Sequence, residues 1–124
     1  MRAATSAVII ASGASIGEIR HILGSAGLLD CFSTIVAAED VKRGKPNPEP
    51  FEMACERLRE QCAGLEPGQC VAVEDSLGGI QSAQSAGMLC LGIAHSYSRD
   101  RLAGAKPDWV IDSISDFTGW LSTV

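Results

Sequence analysis

Short apolar segments alternate with amphipathic segments along the whole chain, and this alternation constrains the fold more than any other feature. Continuous apolar runs of four to eight residues are typical of strands that are buried on both faces. Strands that alternate with helices form right-handed βαβ units and hence parallel sheets. The sequence therefore predicts an α/β fold, with an open, mostly parallel sheet and helices on both faces. The predicted strands are SAVIIAS (6–12), STIVAAE (33–39), CVAVED (70–75), LCLGIAH (89–95) and PDWVIDS (107–113).

The segments between these strands show helical spacing of their apolar residues. In residues 15–29, Ile16, Ile19, Ile22 and Leu23 recur at this spacing, which predicts a helix. A third helix is expected directly after the third strand, with Asp75 or Ser76 as its N-cap. The predicted helices are 15–29, 49–62, 76–87, a short one over 98–105, and 113–124.

Composition narrows the class of protein. With 124 residues, the chain is expected to form a single domain, 1–124, that needs no disulfide or structural metal. The formal net charge of −5 disfavours binding to nucleic acid or to an anionic membrane surface. The apolar runs fall short of the roughly 20 residues that span a bilayer, and the opening residues resemble a strand more than a signal peptide. The five cysteines form no CxxC pair, so we expect buried, reduced thiols at Cys70 and Cys90 in a cytoplasmic protein.

Polar residues follow three of the predicted strands. In open parallel sheets, ligands bind beyond the carboxyl ends of the strands. That rule places three turns at one edge, namely Ser12-Gly13, the loop RGKPNP that carries Lys45, and Glu74-Asp75-Ser76. The Ser12 hydroxyl and the backbone N–H after it suit a phosphate oxygen near a helix N-terminus, although an ordinary capped turn would have the same residues. The prolines beside Lys45 stiffen its loop, and Lys45 is either a phosphate-neutralising ammonium or a solvated loop residue.

Two adjacent acids, Glu74 and Asp75, end the third predicted strand. Burying unpaired carboxylates is costly, so a partner is expected. Carboxylate oxygens are ligands that Mg²⁺ prefers, and this ion takes only one or two of them while it keeps several waters. The alternative is structural, with Asp75 capping the next helix and Glu74 satisfied at the edge of the sheet.

Read together, these stretches are similar to the haloacid dehalogenase (HAD) superfamily, in its β-phosphoglucomutase and phosphoglycolate phosphatase-like branch. The resemblance lies in AVIIASGAS, LLDCFSTIVAAEDVKRGKPNPEPF, CVAVEDSLGGIQSAQSAGM and PDWVIDSISDF, which cover essentially the whole chain. The pair GKPNPEPF and VEDSLGGIQSAQSAGM is the most specific part. The resemblance implies a Rossmann-like core, phosphoryl transfer on small phosphate esters, and Mg²⁺ as cofactor.

The resemblance also implies roles for individual residues. Ser12 matches the hydroxyl residue of the second motif, which binds the transferring phosphoryl group, and Gly13 supplies backbone there. Lys45 matches the lysine of the third motif, which balances phosphoryl charge. Asp75 matches the magnesium ligand of the fourth motif, with Glu74 as a second acid, direct or through water.

Three positions near these motifs need separate mention. Ser76 is expected to orient the loop of the acid pair. Asn47 and Glu49 stand where the family usually has a small residue and an aspartate, so they depart mildly from its pattern.

The first motif of the family, Asp-x-Asp-x-Thr or Val after an N-terminal strand, has no counterpart in residues 1–11. The helical cap domain between the first and second motifs is also missing. The chain is therefore expected to correspond to the second half of such an enzyme, an incomplete core that begins just before the second motif. Because the strand of the first motif lies mid-sheet in the family, its neighbours must pair directly, take a strand from another chain, or keep unpaired backbone groups. We expect a repaired sheet, or a homo-oligomer or partner that covers the gap.

The function expected from this resemblance is a magnesium-dependent phosphatase or phosphomutase core with little or no activity as this chain. The alternative is a non-catalytic HAD-like binding or interaction module, or a truncated fragment. A response-regulator-like domain is a weaker alternative, because among the predicted strands only CVAVED ends in the aspartate that it would need.

Overall fold

Strands and helices alternate throughout the computed structural model, which describes residues 8–123. The first two residues of the first predicted strand, 6 and 7, lie outside this range. The strands are β1 (Ile9–Ala11), β2 (Thr34–Val36), β3 (Val71–Glu74), β4 (Leu89–Ile93) and β5 (Trp109–Ile111). The helices are α1 (Ile16–Ala26), α2 (Glu49–Arg59), α3 (Leu77–Ser85), α4 (Arg99–Gly104) and α5 (Phe117–Leu121). Short 3-10 turns cover Leu29–Cys31, Ala38–Asp40, Pro67–Gln69 and Ile114–Asp116.

The strands form two parallel sheets instead of one. β1 pairs with β2, and a second sheet has the order β3-β4-β5. The predicted α/β fold with parallel strands is confirmed, whereas the repaired sheet is wrong, because β1 and β3 are not hydrogen-bonded to each other within residues 8–123. The carboxyl ends of these two strands are bridged by a side chain, since the Lys45 ammonium contacts both Ala11 and Glu74.

The hydrophobic core is divided in the same way as the sheets. The larger cluster lies around β3 and β4 and includes Phe51, Ile80, Cys90 and Leu102. A smaller cluster under α1 is formed by Ile19, Leu23 and Ala37. Ile22, which has the same helical spacing, does not join this cluster, because its side chain is 62% exposed. Ile19 and Leu23, four residues apart, define the face that meets the sheet, and Ile22 is turned away from it.

Serine side chains begin three of the helices. Ser15 accepts a hydrogen bond from Glu18 N at the start of α1, and Ser98 accepts one from Arg101 N at the start of α4. At α3 the cap is Ser76, whose Oγ lies 3.0 Å from Gly79 N. Of the two predicted caps for this helix, Ser76 is therefore the correct one, and Asp75 has no capping role.

The buried cysteines lie in the larger core cluster as free thiols. Cys55, Cys70 and Cys90 are buried, and Cys31 and Cys62 are exposed. Burial raises the pKa of Cys70 to about 11 and that of Cys90 to about 12, because the apolar surroundings disfavour the thiolate. The predicted burial of Cys70 and Cys90 is confirmed.

Candidate phosphate and metal site

The Lys45 ammonium connects two of the three turns. Its Nζ donates a hydrogen bond to the carbonyl oxygen of Ala11, at 3.2 Å, and forms an ion pair with the carboxylate of Glu74. Ser12 directly follows Ala11, and Asp75 directly follows Glu74. The residues from the three predicted turns therefore lie at one edge, beyond the carboxyl ends of β1 and β3.

The Lys45–Glu74 pair is largely withdrawn from water. The Glu74 side chain is 9% exposed and the Lys45 side chain 23% exposed. The Phe51 ring centroid lies 5.1 Å from the Lys45 Nζ, within cation–π distance. Removing one member of a buried ion pair lowers stability by roughly 3–5 kcal/mol, because the other charge is left buried without a partner. The contact with Lys45 therefore explains how strand β3 can end in Glu74.

The loop that carries Lys45 is held by its own backbone and side chains. The carboxylate of Glu49 accepts hydrogen bonds from the backbone N–H groups of Lys42 and Arg43, at 2.8 and 3.1 Å. Asn47 Oδ1 accepts a hydrogen bond from Glu49 N at 3.0 Å. The two residues that depart from the family pattern, Asn47 and Glu49, thus close the loop around Lys45.

The Ser12-Gly13 turn is fixed by the end of β2. Ser12 N donates to Val36 O at 2.9 Å, and the Ser12 hydroxyl accepts a hydrogen bond from Ala14 N at 3.1 Å. A Cβ at Gly13 would meet no described atom within 4 Å, so a ligand can approach the backbone there. A side-chain carboxylate of the protein already binds at the N-terminus of α1, because Ile16 N donates hydrogen bonds to both carboxylate oxygens of Glu39, at 2.9 and 3.2 Å.

Comparison with known proteins adds a decisive observation. Residues 1–87 match the family model of haloacid dehalogenase-like hydrolases. The chain belongs to this family. The individual relatives and solved structures support the β-phosphoglucomutase and phosphoglycolate phosphatase-like branch of this family. The predicted family is therefore confirmed.

Several curated relatives are named as phosphatases. Over 83 residues the chain is 36% identical to validoxylamine A 7'-phosphate phosphatase of Streptomyces hygroscopicus subsp. limoneus, covering 67% of this chain and 37% of that protein. Over 121 residues it is 32% identical to phosphoglycolate phosphatase of Salmonella typhimurium, covering 90% of this chain and 46% of that protein. The chain thus spans less than half the length of these two relatives.

Two solved structures share the fold. A Thermotoga maritima protein provisionally classed as a β-phosphoglucomutase matches with a TM-score of 0.83 and 28% identity, over 94% of this chain and 52% of that chain. CbbY from Rhodobacter sphaeroides, solved in complex with phosphate, matches with a TM-score of 0.75 and 27% identity, over 88% of this chain and 47% of that chain.

Among residues 8–123, none of the helices combines the length and the apolar character that are needed to span a membrane.

The acid pair offers carboxylate oxygens, which are ligands that Mg²⁺ prefers. Asp75 is exposed and lines an open groove of about 530 Å³ together with His95 and Asp112. Within residues 8–123, no group of three His, Cys, Asp or Glu residues is placed to hold a metal. Asp75 fits an ion that keeps most of its waters, whereas Glu74 is engaged by Lys45 and fits an outer position.

Two residues of helix α3 that contact this site were not predicted from the sequence. Gly79 lies against the Glu74 carboxylate, and a Cβ there would come within 2.8 Å of Oε2 and closer still to Oε1. Ser82 is fully buried, and its hydroxyl donates to the carbonyl oxygen of Asn47 at 2.6 Å. Small residues three apart on a helix that follows an acid pair were the available signal, because positions i and i+3 share one face.

Proposed function

We propose that these 124 residues form the phosphate- and magnesium-binding part of a HAD phosphatase or phosphomutase core that acts on small phosphate esters. The observation that carries this proposal is the Lys45 ammonium, which contacts the ends of both β1 and β3. A cation held in this way, in a site partly shielded from water, stabilises negative charge more strongly than one in bulk solvent.

Each proposed role follows from the position of the group. The Ser12 hydroxyl and the backbone at Gly13 bind phosphoryl oxygens, and Lys45 neutralises the charge that accumulates on the phosphoryl group during transfer. Asp75 would hold Mg²⁺, with Glu74 acting through water, and the ion would supply further charge neutralisation. Glu74 also keeps Lys45 in place by the ion pair.

We propose that the chain by itself has little or no turnover. Phosphoryl transfer in this family passes through an aspartate of an Asp-x-Asp motif, and no two aspartates in the 124 residues are separated by a single residue. The sequence thus contains groups that bind the phosphoryl oxygens but no counterpart of the family's nucleophile.

The gap between the two sheets is the proposed place of a partner strand. β1 pairs only with β2, and β3 only with β4, among the residues that the structure describes, so each has one edge with unpaired backbone groups. A strand from a second copy or from another polypeptide would cover both edges. The five cysteines without a disulfide suit the cytoplasm as the setting.

A non-catalytic phosphate-binding module is the second candidate. Its support is that the Glu74 carboxylate is engaged by Lys45, which leaves Asp75 as the exposed acid of the pair.

The deciding experiment is hydrolysis of p-nitrophenyl phosphate with Mg²⁺ by the chain and by its Asp75→Ala variant. We expect both rates to equal the rate without protein. Magnesium-dependent turnover that disappears in Asp75→Ala would refute the proposed inactivity and support the site. Turnover that survives the substitution would refute the site itself.

A further inference from the structure

One buried hydroxyl to which the family resemblance assigns no role touches the loop that carries Lys45. Ser82 is 0% exposed, and its Oγ lies 2.6 Å from the carbonyl oxygen of Asn47, 35 positions earlier in the chain. A fully buried hydroxyl costs free energy unless it is hydrogen-bonded. This contact is therefore a specific link between helix α3 and the Lys45 loop.

The same face of α3 also contacts the other member of the ion pair. Gly79 lies one turn before Ser82 on the helix and packs directly against the Glu74 carboxylate. Ser76, two residues after Glu74, is the N-cap of helix α3, so the position of the helix is tied to the end of β3. The helix thus holds Glu74 through Gly79 and the Lys45 loop through Ser82.

We infer that Ser82 is a positioning residue for Lys45. Its hydroxyl fixes the loop at Asn47, two residues after Lys45, and thereby sets where the ammonium lies relative to Glu74 and Ala11. The consequence for phosphate binding rests on the proposed function, because the position of the ammonium governs affinity only if phosphate binds at this edge. The geometric part stands independently of any ligand.

The chain offers a direct probe of the Lys45 ammonium. It contains three lysines, Lys42, Lys45 and Lys106, and both Lys42 and Lys106 are exposed. In a sample with ¹³C- and ¹⁵N-labelled lysine, these two serve as internal references, and a Lys45→Arg variant assigns the third resonance. A suitable control for the substitution is Ser85→Ala, because Ser85 is an exposed serine on the same helix.

The experiment records the lysine side-chain resonances of the full chain, of Ser82→Ala and of Ser85→Ala, with folding verified by circular dichroism. We expect Ser82→Ala to displace the Lys45 resonance while Lys42 and Lys106 stay in place, and Ser85→Ala to change none of them. An unmoved Lys45 resonance in folded Ser82→Ala would overturn the inference. If Ser82→Ala does not fold, Ser82→Cys, which has a weaker donor of similar shape, takes its place with the same criteria.

A titration with inorganic phosphate separates this inference from the proposed function. Loss of one hydrogen bond of this kind is expected to weaken phosphate binding roughly two- to tenfold in Ser82→Ala, and Ser85→Ala should bind like the unsubstituted chain. If the unsubstituted chain binds no phosphate, the proposed function fails, while the displacement of the Lys45 resonance still decides whether Ser82 positions Lys45.

Discussion

Replacing Gly79 by alanine tests the packing that holds the Lys45–Glu74 pair. A Cβ at this position would lie 2.8 Å from Oε2 of Glu74 and closer to Oε1, so the carboxylate has to move. The carboxylate is the end of a flexible side chain, but it is only 9% exposed and is bound by Lys45. Movement therefore weakens the ion pair. Gly78→Ala is the matched control, because a Cβ at Gly78 meets no described atom within 4 Å.

The size of the effect follows from two opposing contributions. A hydrogen bond to a charged group contributes about 1.5–3 kcal/mol to stability, and alanine is favoured over glycine in a helix by up to about 1 kcal/mol. Because Lys45 is 23% exposed and can be rehydrated, the lower part of the first range applies. Gly79→Ala should thus lower the free energy of unfolding by about 0.5–2 kcal/mol, from the difference of these contributions.

Gly78→Ala should leave the free energy of unfolding unchanged or raise it by up to about 1 kcal/mol, from helix propensity alone. Urea unfolding followed by tryptophan fluorescence measures both variants. The explanation is refuted if Gly79→Ala is as stable as Gly78→Ala, or if the Lys45 ammonium resonance is the same in both.

Three further predictions concern other parts of the chain. Ser76→Ala removes the N-cap of α3 and should cost about 1 kcal/mol in urea unfolding; no change would mean that the cap is dispensable. Hydrogen bonding from Ala37 N, and then Arg57, lowers the pKa of Asp40 below its ordinary 3.8, so its stabilisation is present above that value and is lost as pH falls through the lower folded pKa. Asp40→Asn should accordingly be less stable than the unsubstituted chain at pH 7, with the difference shrinking in acid; a constant difference would contradict this cause. Iodoacetamide should label the exposed Cys31 and Cys62 before the buried thiols, and mass spectrometry after brief exposure measures this order.

The order of strands and helices could be predicted from the sequence, because the spacing of apolar residues and the glycines and prolines between segments are local properties. All five strands and the helices between them occur where they were expected, with shorter strands. The division into two sheets was not predicted as such, since hydrogen bonding between β1 and β3 depends on tertiary placement and not on the pattern of either strand. The exposure of Ile22 was not predicted for a similar reason, because helical spacing identifies an apolar stripe but not which part of it meets the sheet.

The candidate site was predictable only in part. The motifs singled out Lys45, Glu74 and Asp75, but the pairing of Lys45 with Glu74 and the exposure of Asp75 are visible only in three dimensions. The contact between Ser82 and Asn47 could not be predicted from the motifs, because it joins residues 35 positions apart. Buried hydroxyls in helices are usually interpreted as packing residues, and their long-range partners are not encoded in local spacing.

The central claim is that the edge beyond β1 and β3 binds phosphate together with Mg²⁺. Amide chemical shifts of the ¹⁵N-labelled chain, titrated with inorganic phosphate and MgCl₂, test this claim most directly. We predict saturable shifts at Ser12-Gly13, at Lys45 and at Glu74-Asp75, with the magnesium-dependent part lost in Asp75→Asn. Shifts that do not saturate, or that map away from this edge and persist in Asp75→Asn, would contradict the claim.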